Sequence, residues 1–354
     1  MKTCDIHYHT GDGLSAERTV AHFLRLKEAT DLDKICLLSI PVSVGTKAYR
    51  LENLWVLMIK DMLYPYAFAY LGFYHGENKD DYLTQVKTGV EQGFEGIKIL
   101  ETKPDTQKNY GVRVWDSCFD DAYSYAEENN IPVLMHVADP ETSWDINKVD
   151  KWAYDHGRFY GLPGFMTKDE LYEGSQEILK KHPDLKVTFA HFYFMSAEIE
   201  RAEKLFERFP NVSFDLTPGK EMYTNFGINN ERVRDFFIKY ADRIYFGTDT
   251  NDKDDNDKTF DYQCGLNELV SRALNESEKF NWRNTLDCYP LNLPNDVKEK
   301  IRFGNFKNLL GETPKQVNYE AVKREIAILE EQKDILSEGD IEILHIVKEY
   351  FCSK

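Results

Sequence analysis

Apolar residues fall into short runs that alternate with longer amphipathic segments. Eight runs are rich in β-branched and aromatic residues and have the length of strands. They are residues 3–8, 34–40, 66–73, 96–100, 131–137, 186–191, 212–217 and 243–248. Helical periodicity marks several of the intervening segments, at residues 16–28, 80–92, 115–129 and 197–209. This alternation predicts an α/β fold with parallel strands and helical crossovers, and eight such units in about 250 residues have the size of a (β/α)8 TIM barrel.

Two segments lie outside this regular alternation. Residues 138–182 form a long loop insertion after strand five that is rich in aromatic residues, and such excursions commonly shape the substrate pocket of a barrel. Residues 258–311 have a mixed helical pattern, and residues 315–353 have the pattern of a charged amphipathic helical pair. We therefore predict a barrel domain at residues 1–311 and a C-terminal helical extension at 312–354 that packs on the barrel.

Composition and charge narrow the classes of partner. The chain has 354 residues, 42% of them hydrophobic, and a net charge of -17. Such a charge disfavours nucleic acid, because binding to phosphate backbones depends on Lys and Arg. The N-terminus has no signal-peptide pattern, and no apolar run has the roughly 18 residues that a membrane span needs. We expect a cytoplasmic enzyme with a small-molecule substrate, no membrane or nucleic-acid partner, and a homodimeric state.

Histidines stand at the ends of predicted strands. The chain has nine histidines, and His9, His136 and His191 lie at or beside the carboxyl ends of strands one, five and six. Residues i and i+2 of a strand project to the same side, so His7 and His9 direct two imidazoles into one space at the barrel mouth. Imidazole nitrogen binds zinc and similar ions. Taken alone, such a pair is as often structural as metal-binding.

The later strands favour the metal-site interpretation. His136 and His191 each end an apolar run, where an ionisable group is costly without a polar partner. Either one alone could be a core histidine, but both stand at equivalent ends of neighbouring strands. Asp249 directly follows strand eight, which lies beside strand one in a closed barrel. The sequence therefore predicts that Asp249 faces His7 and His9.

This order of polar residues resembles a known family. An HxH on strand one, His on strands five and six and Asp after strand eight is similar to the metal site of the amidohydrolase superfamily. Flanking segments resemble its amidohydrolase 2 branch, which contains metal-dependent hydrolases and nonoxidative decarboxylases. These segments are Gly93 to Lys98, His182 to Leu185, Gly304-Asn305 and Leu309 to Gly311. The resemblance covers about residues 3–311 and implies the same barrel.

The resemblance also implies roles for the site residues. His7, His9 and His136 would bind one divalent metal ion, zinc rather than another metal, with Asp249 as a further ligand. Asp249 would also be the general base that takes a proton from the activated water. His191 would either bind the metal or stabilise charge that develops on a substrate oxygen.

Three further residues are candidates for substrate binding. By strand alternation Lys98 points inward, and it would bind an anionic substrate or pair with an inner carboxylate; in binuclear members of the superfamily a carboxylated lysine on this strand bridges two metals. Arg158 and Tyr193 lie in or beside the long insertion and could contact substrate. For Arg158 and Tyr193 the sequence favours a surface or packing role over substrate contact.

Several functions fit this pattern. The leading hypothesis is a metal-dependent hydrolase that cleaves a C–N or C–O bond, and the alternative on the same metal site is a nonoxidative decarboxylase of a small carboxylic acid. His7-Tyr8-His9-Thr10 also resembles the opening of polymerase-and-histidinol-phosphatase phosphoesterases, but Asp249 lacks the histidine that their late DxH element requires. A barrel that binds a ligand without metal is the non-enzymatic alternative.

Overall fold

Eight strands form one sheet in sequence order. The computed structural model describes residues 2–10, 15–39, 48–75, 80–219, 221–251 and 256–354. The strands are β1 (Thr3–Tyr8), β2 (Leu32–Leu38), β3 (Ala67–Gly72), β4 (Gly96–Thr102), β5 (Val133–Val137), β6 (Val187–Phe189), β7 (Val212–Asp215) and β8 (Ile244–Tyr245). Their order in the sheet is β1 to β8, and the pairing is parallel from β1 to β4 and from β5 to β7.

The first strand also pairs with the segment that follows the last. The Ile6 N–H donates to the Phe246 carbonyl at 3.0 Å, and Tyr8 forms a parallel bridge with Thr250. The two ends of the sheet thus meet, as in a (β/α)8 barrel. The predicted fold class is confirmed.

Helices connect the strands. They are α1 (Ala16–Ala29), α2 (Ala48–Met62), α3 (Tyr82–Gln92), α4 (Pro104–Tyr110), α5 (Asp120–Glu128), α6 (Lys151–Asp155), α7 (Lys168–Lys181), α8 (Ile199–Arg208), α9 (Met222–Asn225), α10 (Asn230–Lys239), α11 (Asp257–Asn275), α12 (Asn295–Glu299), α13 (Asn305–Leu310), α14 (Tyr319–Glu331) and α15 (Glu338–Cys352). Side chains at the N-caps fix several starts: Ser15 accepts from Arg18 N–H, and Thr167 forms a capping box with Glu170. None of the described helices has the length and apolar character of a membrane span.

Contacts divide the chain into two units. The first unit comprises residues 1–98, 245–268 and 299–354. In it α15 packs on α2, and α14 packs on both α2 and α3. The Tyr350 hydroxyl donates to Asp61 at 2.6 Å, and a buried ion pair joins Lys60 to Glu95 at 2.6 Å. The helix contacts and the Tyr350–Asp61 hydrogen bond attach the C-terminal helices to the crossover helices of the first strands.

The second unit comprises residues 99–244 and 269–298. Aromatic side chains fill its core, and Phe192 packs among Phe214, Phe226, Phe236 and Phe237. The segment predicted as mixed helical contains a two-stranded antiparallel hairpin, β9 (Phe280–Trp282) and β10 (Leu286–Cys288). The predicted long loop of residues 138–182 ends in a regular crossover helix, α7, so its irregular part is shorter than the sequence suggested.

Several predicted strand ends need correction. The seventh and eighth strands were expected to reach residues 217 and 248 but end at Asp215 and Tyr245. The sixth strand was expected to continue to His191, but β6 ends at Phe189. His191 has a φ of 56° and starts a left-handed turn, which ends the extended backbone. The second strand also begins earlier than predicted, at Leu32, and the predicted end at residue 40 lies outside the described residues.

Candidate metal centre

The first unit brings three predicted ligands together. The Nε2 atoms of His7 and His9 lie 3.1 Å apart. The Asp249 Oδ1 atom lies 3.1 Å from His9 Nε2 and 3.5 Å from His7 Nε2. Among the described residues, this is the group of side chains that could hold a metal ion. The donors stand at the carboxyl end of β1 and just after β8, the end of a barrel where active sites lie.

The donor set fits a divalent transition metal. A tetrahedral zinc ion has bonds of about 2.0–2.1 Å to nitrogen and oxygen, which places adjacent ligand atoms about 3.3 Å apart. The observed separations of 3.1 to 3.5 Å bracket that value. Two imidazoles and one carboxylate also form a donor set that proteins use for zinc.

Hydrogen bonding leaves the Nε2 lone pair of His9 available to a metal ion. His9 Nδ1 lies 3.1 Å from the carbonyl oxygen of Leu38 at the end of β2. A carbonyl only accepts, so Nδ1 must carry the proton and Nε2 presents its lone pair. That lone pair faces His7 Nε2, and only a proton or a cation makes this approach favourable. Such a backbone partner is the usual way to orient a metal-binding imidazole.

Asp5 joins the two segments that carry the ligands. This fully buried carboxylate accepts the N–H of His7 at 2.8 Å and the N–H of Thr248 at 3.2 Å. The Thr248 hydroxyl also donates to Asp5 at 2.5 Å. Asp5 therefore sets the distance between β1 and the segment after β8. Sequence reasoning missed it, although Asp5 shares the strand periodicity of His7 and His9.

The backbone at Asp249 is left-handed. Asp249 has a φ of 58°, a conformation that a short polar residue adopts more readily than most. Its N–H donates to the His7 carbonyl at 2.9 Å, and the His9 N–H donates to Thr250 at 2.8 Å. The Asp249 side chain is 43% exposed, while that of His7 is buried. One side of the carboxylate can therefore reach solvent or substrate.

Lys98 lies beside this cluster. Its side chain is buried on β4, and Nζ is 3.4 Å from His7 Nε2. The inward direction expected from strand alternation is the one observed. A lysine amine here can attract an anionic substrate group, and the same placement suits the carboxylated-lysine alternative. Its role stays a prediction.

His136 and His191 form a pair in the second unit. Their ring centroids are 4.7 Å apart and the rings are nearly perpendicular. The backbone N–H of His191 donates to Asp215 Oδ1 at 2.8 Å. Asp215, at the end of β7, therefore fixes the backbone of His191. The predicted roles of His136 as a metal ligand and His191 as a catalytic group stay predictions.

A carboxylate that the sequence analysis missed accompanies His136. Asp139 lies 3.6 Å from His136 Nε2 and 3.2 Å from Lys103 Nζ, and it accepts a hydrogen bond from Tyr160 at 2.5 Å. Burial would raise the pKa of Asp139, but the Lys103 ammonium and these hydrogen bonds hold it below its usual range. The ionised Asp139 lies beside the His136 ring, whose Nε2 is 3.0 Å from the Ala138 carbonyl oxygen. Its position shortly after a strand-end histidine was the available sequence signal.

The two other predicted substrate contacts fare differently. Tyr193 is fully buried, and its hydroxyl lies 2.5 Å from Ser175 Oγ. Because that hydroxyl is used inside the core, we withdraw substrate contact as its role. The Arg158 guanidinium lies over the ring of Trp152 at 4.8 Å. Its predicted contact with substrate stays a prediction.

A family model matches most of the chain. The amidohydrolase model matches residues 41–305, which are 265 of the 354 residues. The chain belongs to the amidohydrolase family. The matched span includes the positions of Asp249, Lys98, His136 and His191, and it begins after β1, so it does not include His7 and His9. No curated protein sequence matches this chain.

Solved structures agree at the level of the fold. An uncharacterised TIM-barrel protein from Bordetella bronchiseptica is 14% identical, with 88% of this chain and 99% of that chain covered and a TM-score of 0.56. The 4-oxalomesaconate hydratase of Rhodopseudomonas palustris is 13% identical over 93% and 99%, with a TM-score of 0.53. The 5-carboxyvanillate decarboxylase of Sphingomonas paucimobilis is 11% identical over 87% and 98%, with a TM-score of 0.52. These names cover different reactions, so they do not select one for this amidohydrolase.

Proposed function

We propose that this amidohydrolase is a metal-dependent hydrolase that cleaves a C–N or C–O bond of a small molecule. The observation that carries the proposal is the convergence of His7, His9 and Asp249, whose donor atoms are 3.1 to 3.5 Å apart. Zinc is the metal that fits this donor set best, and one ion suffices for it. A bound divalent ion would supply Lewis acidity, which lowers the pKa of water towards about 7 and polarises a substrate carbonyl.

Asp249 is the proposed general base. Its partly exposed carboxylate can receive a proton from the attacking water and deliver it to the leaving group. The hydrogen bonds from its own N–H to His7 and from Thr248 to Asp5 hold it in place. The protein thus presents the base without a large rearrangement of the backbone.

One lysine and two histidines have supporting roles in the proposal. The buried Lys98 amine would bind an anionic group of the substrate. The His191 imidazole would stabilise negative charge on the substrate oxygen that develops during attack. His136 would be an additional ligand.

Elemental analysis and two substitutions test the metal mechanism. Protein purified without chelator should contain stoichiometric zinc, manganese or iron, and His7→Ala should lose most of it. The exposed His345→Ala serves as the matched control and should retain it. Asp249→Asn should lower kcat by about a hundredfold or more, whereas the exposed Asp121→Asn should not. A metal-free wild type together with a fully active Asp249→Asn variant would overturn the mechanism.

A substrate screen tests the reaction. Small amides, lactones and aromatic carboxylic acids should be offered to the metal-loaded protein. Hydrolysis of an amide or lactone supports the proposal. Release of carbon dioxide without net hydrolysis would replace it with the decarboxylase alternative, and strong cleavage of p-nitrophenyl phosphodiesters would replace it with a phosphoesterase.

A further inference from the structure

The chain forms a left-handed turn directly after β6. Four consecutive residues, His191, Phe192, Tyr193 and Phe194, have φ values of 56°, 54°, 55° and 49°. None is glycine, and L-residues other than glycine rarely adopt left-handed backbone. Strain of this kind persists only where the surrounding structure determines it, and it is concentrated at functional sites.

The turn separates side chains that a strand would place together. In an extended strand His191 and Tyr193 would project to the same side. In the observed turn His191 stacks on Phe194, with ring centroids 5.0 Å apart and planes 22° from parallel. Tyr193 instead stacks on Phe189 at 3.9 Å inside the core. Left-handed backbone thus turns His191 away from the tyrosine and towards His136.

Side chains of helix α7 form hydrogen bonds with the left-handed turn, chiefly to its backbone carbonyl groups. The Tyr172 hydroxyl donates to the Tyr193 carbonyl at 2.7 Å. The Lys168 ammonium donates to the Phe194 carbonyl at 3.1 Å. Ser175 adds a 2.5 Å hydrogen bond with the Tyr193 hydroxyl. Lys168 and Tyr172, four residues apart on α7, therefore satisfy buried carbonyl groups that the turn leaves without strand partners, and Ser175 satisfies the buried Tyr193 hydroxyl.

Helix α7 is continuous with the long connection after β5. Lys168 pairs with Glu141 at 3.1 Å, and Glu141 lies on that connection with most of its side chain exposed. The Lys168 ammonium thus contacts both the connection after β5, at Glu141, and the left-handed turn, at the Phe194 carbonyl. The Asp215 carboxylate fixes the opposite end of the turn through the His191 N–H.

We propose that Tyr172 and Lys168 are positioning residues that hold the left-handed turn and so set the direction of the His191 imidazole for the reaction. This inference rests on the proposed function only in giving His191 a role on the substrate. The positioning itself is a property of the protein without substrate. Neither residue touches the reacting atoms.

Tyr172→Phe is the sharpest test because it removes one hydroxyl and keeps the ring. Tyr319→Phe is the matched control, since it loses a hydroxyl that bonds to Asp61 far along the chain. Side-chain NMR of His191, assigned with His191→Gln, should show shifted imidazole resonances in Tyr172→Phe and unchanged ones in Tyr319→Phe. Amide hydrogen exchange of residues 191–194 should be faster in the Tyr172 variant. Unchanged resonances and exchange would overturn the proposal.

Kinetics and a conservative variant complete the test. With an identified substrate, Tyr172→Phe should lower kcat about ten- to a hundredfold with little change in KM. Lys168→Met should shift the His191 imidazole resonances. Lys168→Arg should keep them near their wild-type positions, because the arginine can still donate to the Phe194 carbonyl. If His191→Gln leaves kcat unchanged while the NMR changes occur, the positioning stands and the proposed role of His191 on the substrate fails.

Discussion

At the scale of single residues, the Asp5 carboxylate is the group that holds the candidate metal centre in place. It accepts N–H groups from both His7 and Thr248. Asp5→Asn should destabilise the fold by about 1–3 kcal/mol, because the amide replaces one acceptor by a donor. It should also weaken zinc binding about 10–100-fold through misplaced ligands. Urea unfolding and competition with a chromophoric chelator measure the two effects.

A second aspartate provides the control for this prediction. Asp33, on β2, pairs with Lys27 at 2.8 Å and with Lys2 at 3.1 Å. Asp33→Asn makes the same chemical change away from the ligands and should leave zinc affinity unchanged. Equal zinc affinity in Asp5→Asn and Asp33→Asn would contradict the positioning role of Asp5.

Glu221 is the second residue with a measurable consequence. Both of its carboxylate oxygens are buried and have no hydrogen-bond partner on any other described residue. Burial raises the pKa of Glu221, and the residue's own backbone N–H and the Lys168 ammonium only partly offset this rise. A raised folded-state pKa means that ionisation favours the unfolded chain, so stability is lost as the pH rises through that pKa.

The pH dependence of one variant tests this sign. Glu221→Gln should have a higher Tm than the wild type at pH 8, and the difference should shrink towards pH 4, near the pKa of an unperturbed glutamate, about 4.3. Glu203→Gln should show the opposite sign at pH 8, because Lys239 and Arg232 lower the pKa of Glu203. If the wild type were as stable as Glu221→Gln at every pH, ionisation of the buried Glu221 carboxylate would not destabilise the fold.

At the scale of elements, the end of α3 depends on a glycine. Gly93 has a φ of 118°, and a Cβ there would lie 2.9 Å from the Gln316 carbonyl oxygen of the segment that leads to α14. Gly93→Ala should therefore combine backbone strain with a clash. Gly111→Ala is the matched control, because its φ of 62° carries strain but a Cβ would meet nothing within 4 Å.

The two glycine variants separate strain from contact. Gly111→Ala should cost about 1–2 kcal/mol of unfolding free energy. Gly93→Ala should cost roughly 1–3 kcal/mol more, through the forced movement of the adjoining backbone. Thermal unfolding of both variants measures the difference. Equal losses of unfolding free energy would show that the segment at Gln316 moves aside at no energetic cost.

Hydrophobic patterns predicted the elements but not every boundary. All eight strands were predicted near their observed positions. Strands of a parallel sheet are buried, so each one appears in the sequence as a recognisable apolar run. The sixth ended two residues early because a left-handed turn begins at His191, and the hydrogen-bond partners of that turn, Tyr172 and Lys168, lie on a different element of the chain. The hairpin at residues 280–288 was missed since its short strands alternate weakly.

The candidate site was predicted to a similar degree. His7, His9 and Asp249 were expected to converge because barrel closure follows from strand number, and the structure brings them together. Asp5 and Asp139 were missed, because a polar residue near a strand end shows no partner until the fold is known. The buried position of Tyr193 was missed for the same reason, since its hydroxyl partner Ser175 lies on α7.

At the scale of the whole molecule, the candidate metal centre lies where the first strand meets the segment that follows the last. His7 and His9 lie on β1, whereas Asp249 follows β8, so one ion would join the first and last strands of the sheet. A ligand that binds only the folded state stabilises it by about 2.7 kcal/mol at a hundredfold excess over Kd. Zinc at that excess should raise the Tm of chelator-treated protein, and His345→Ala should respond as the wild type does. His9→Ala should lose the increase, and a zinc-induced increase that survives both His9→Ala and Asp249→Asn would place the stabilising ion elsewhere.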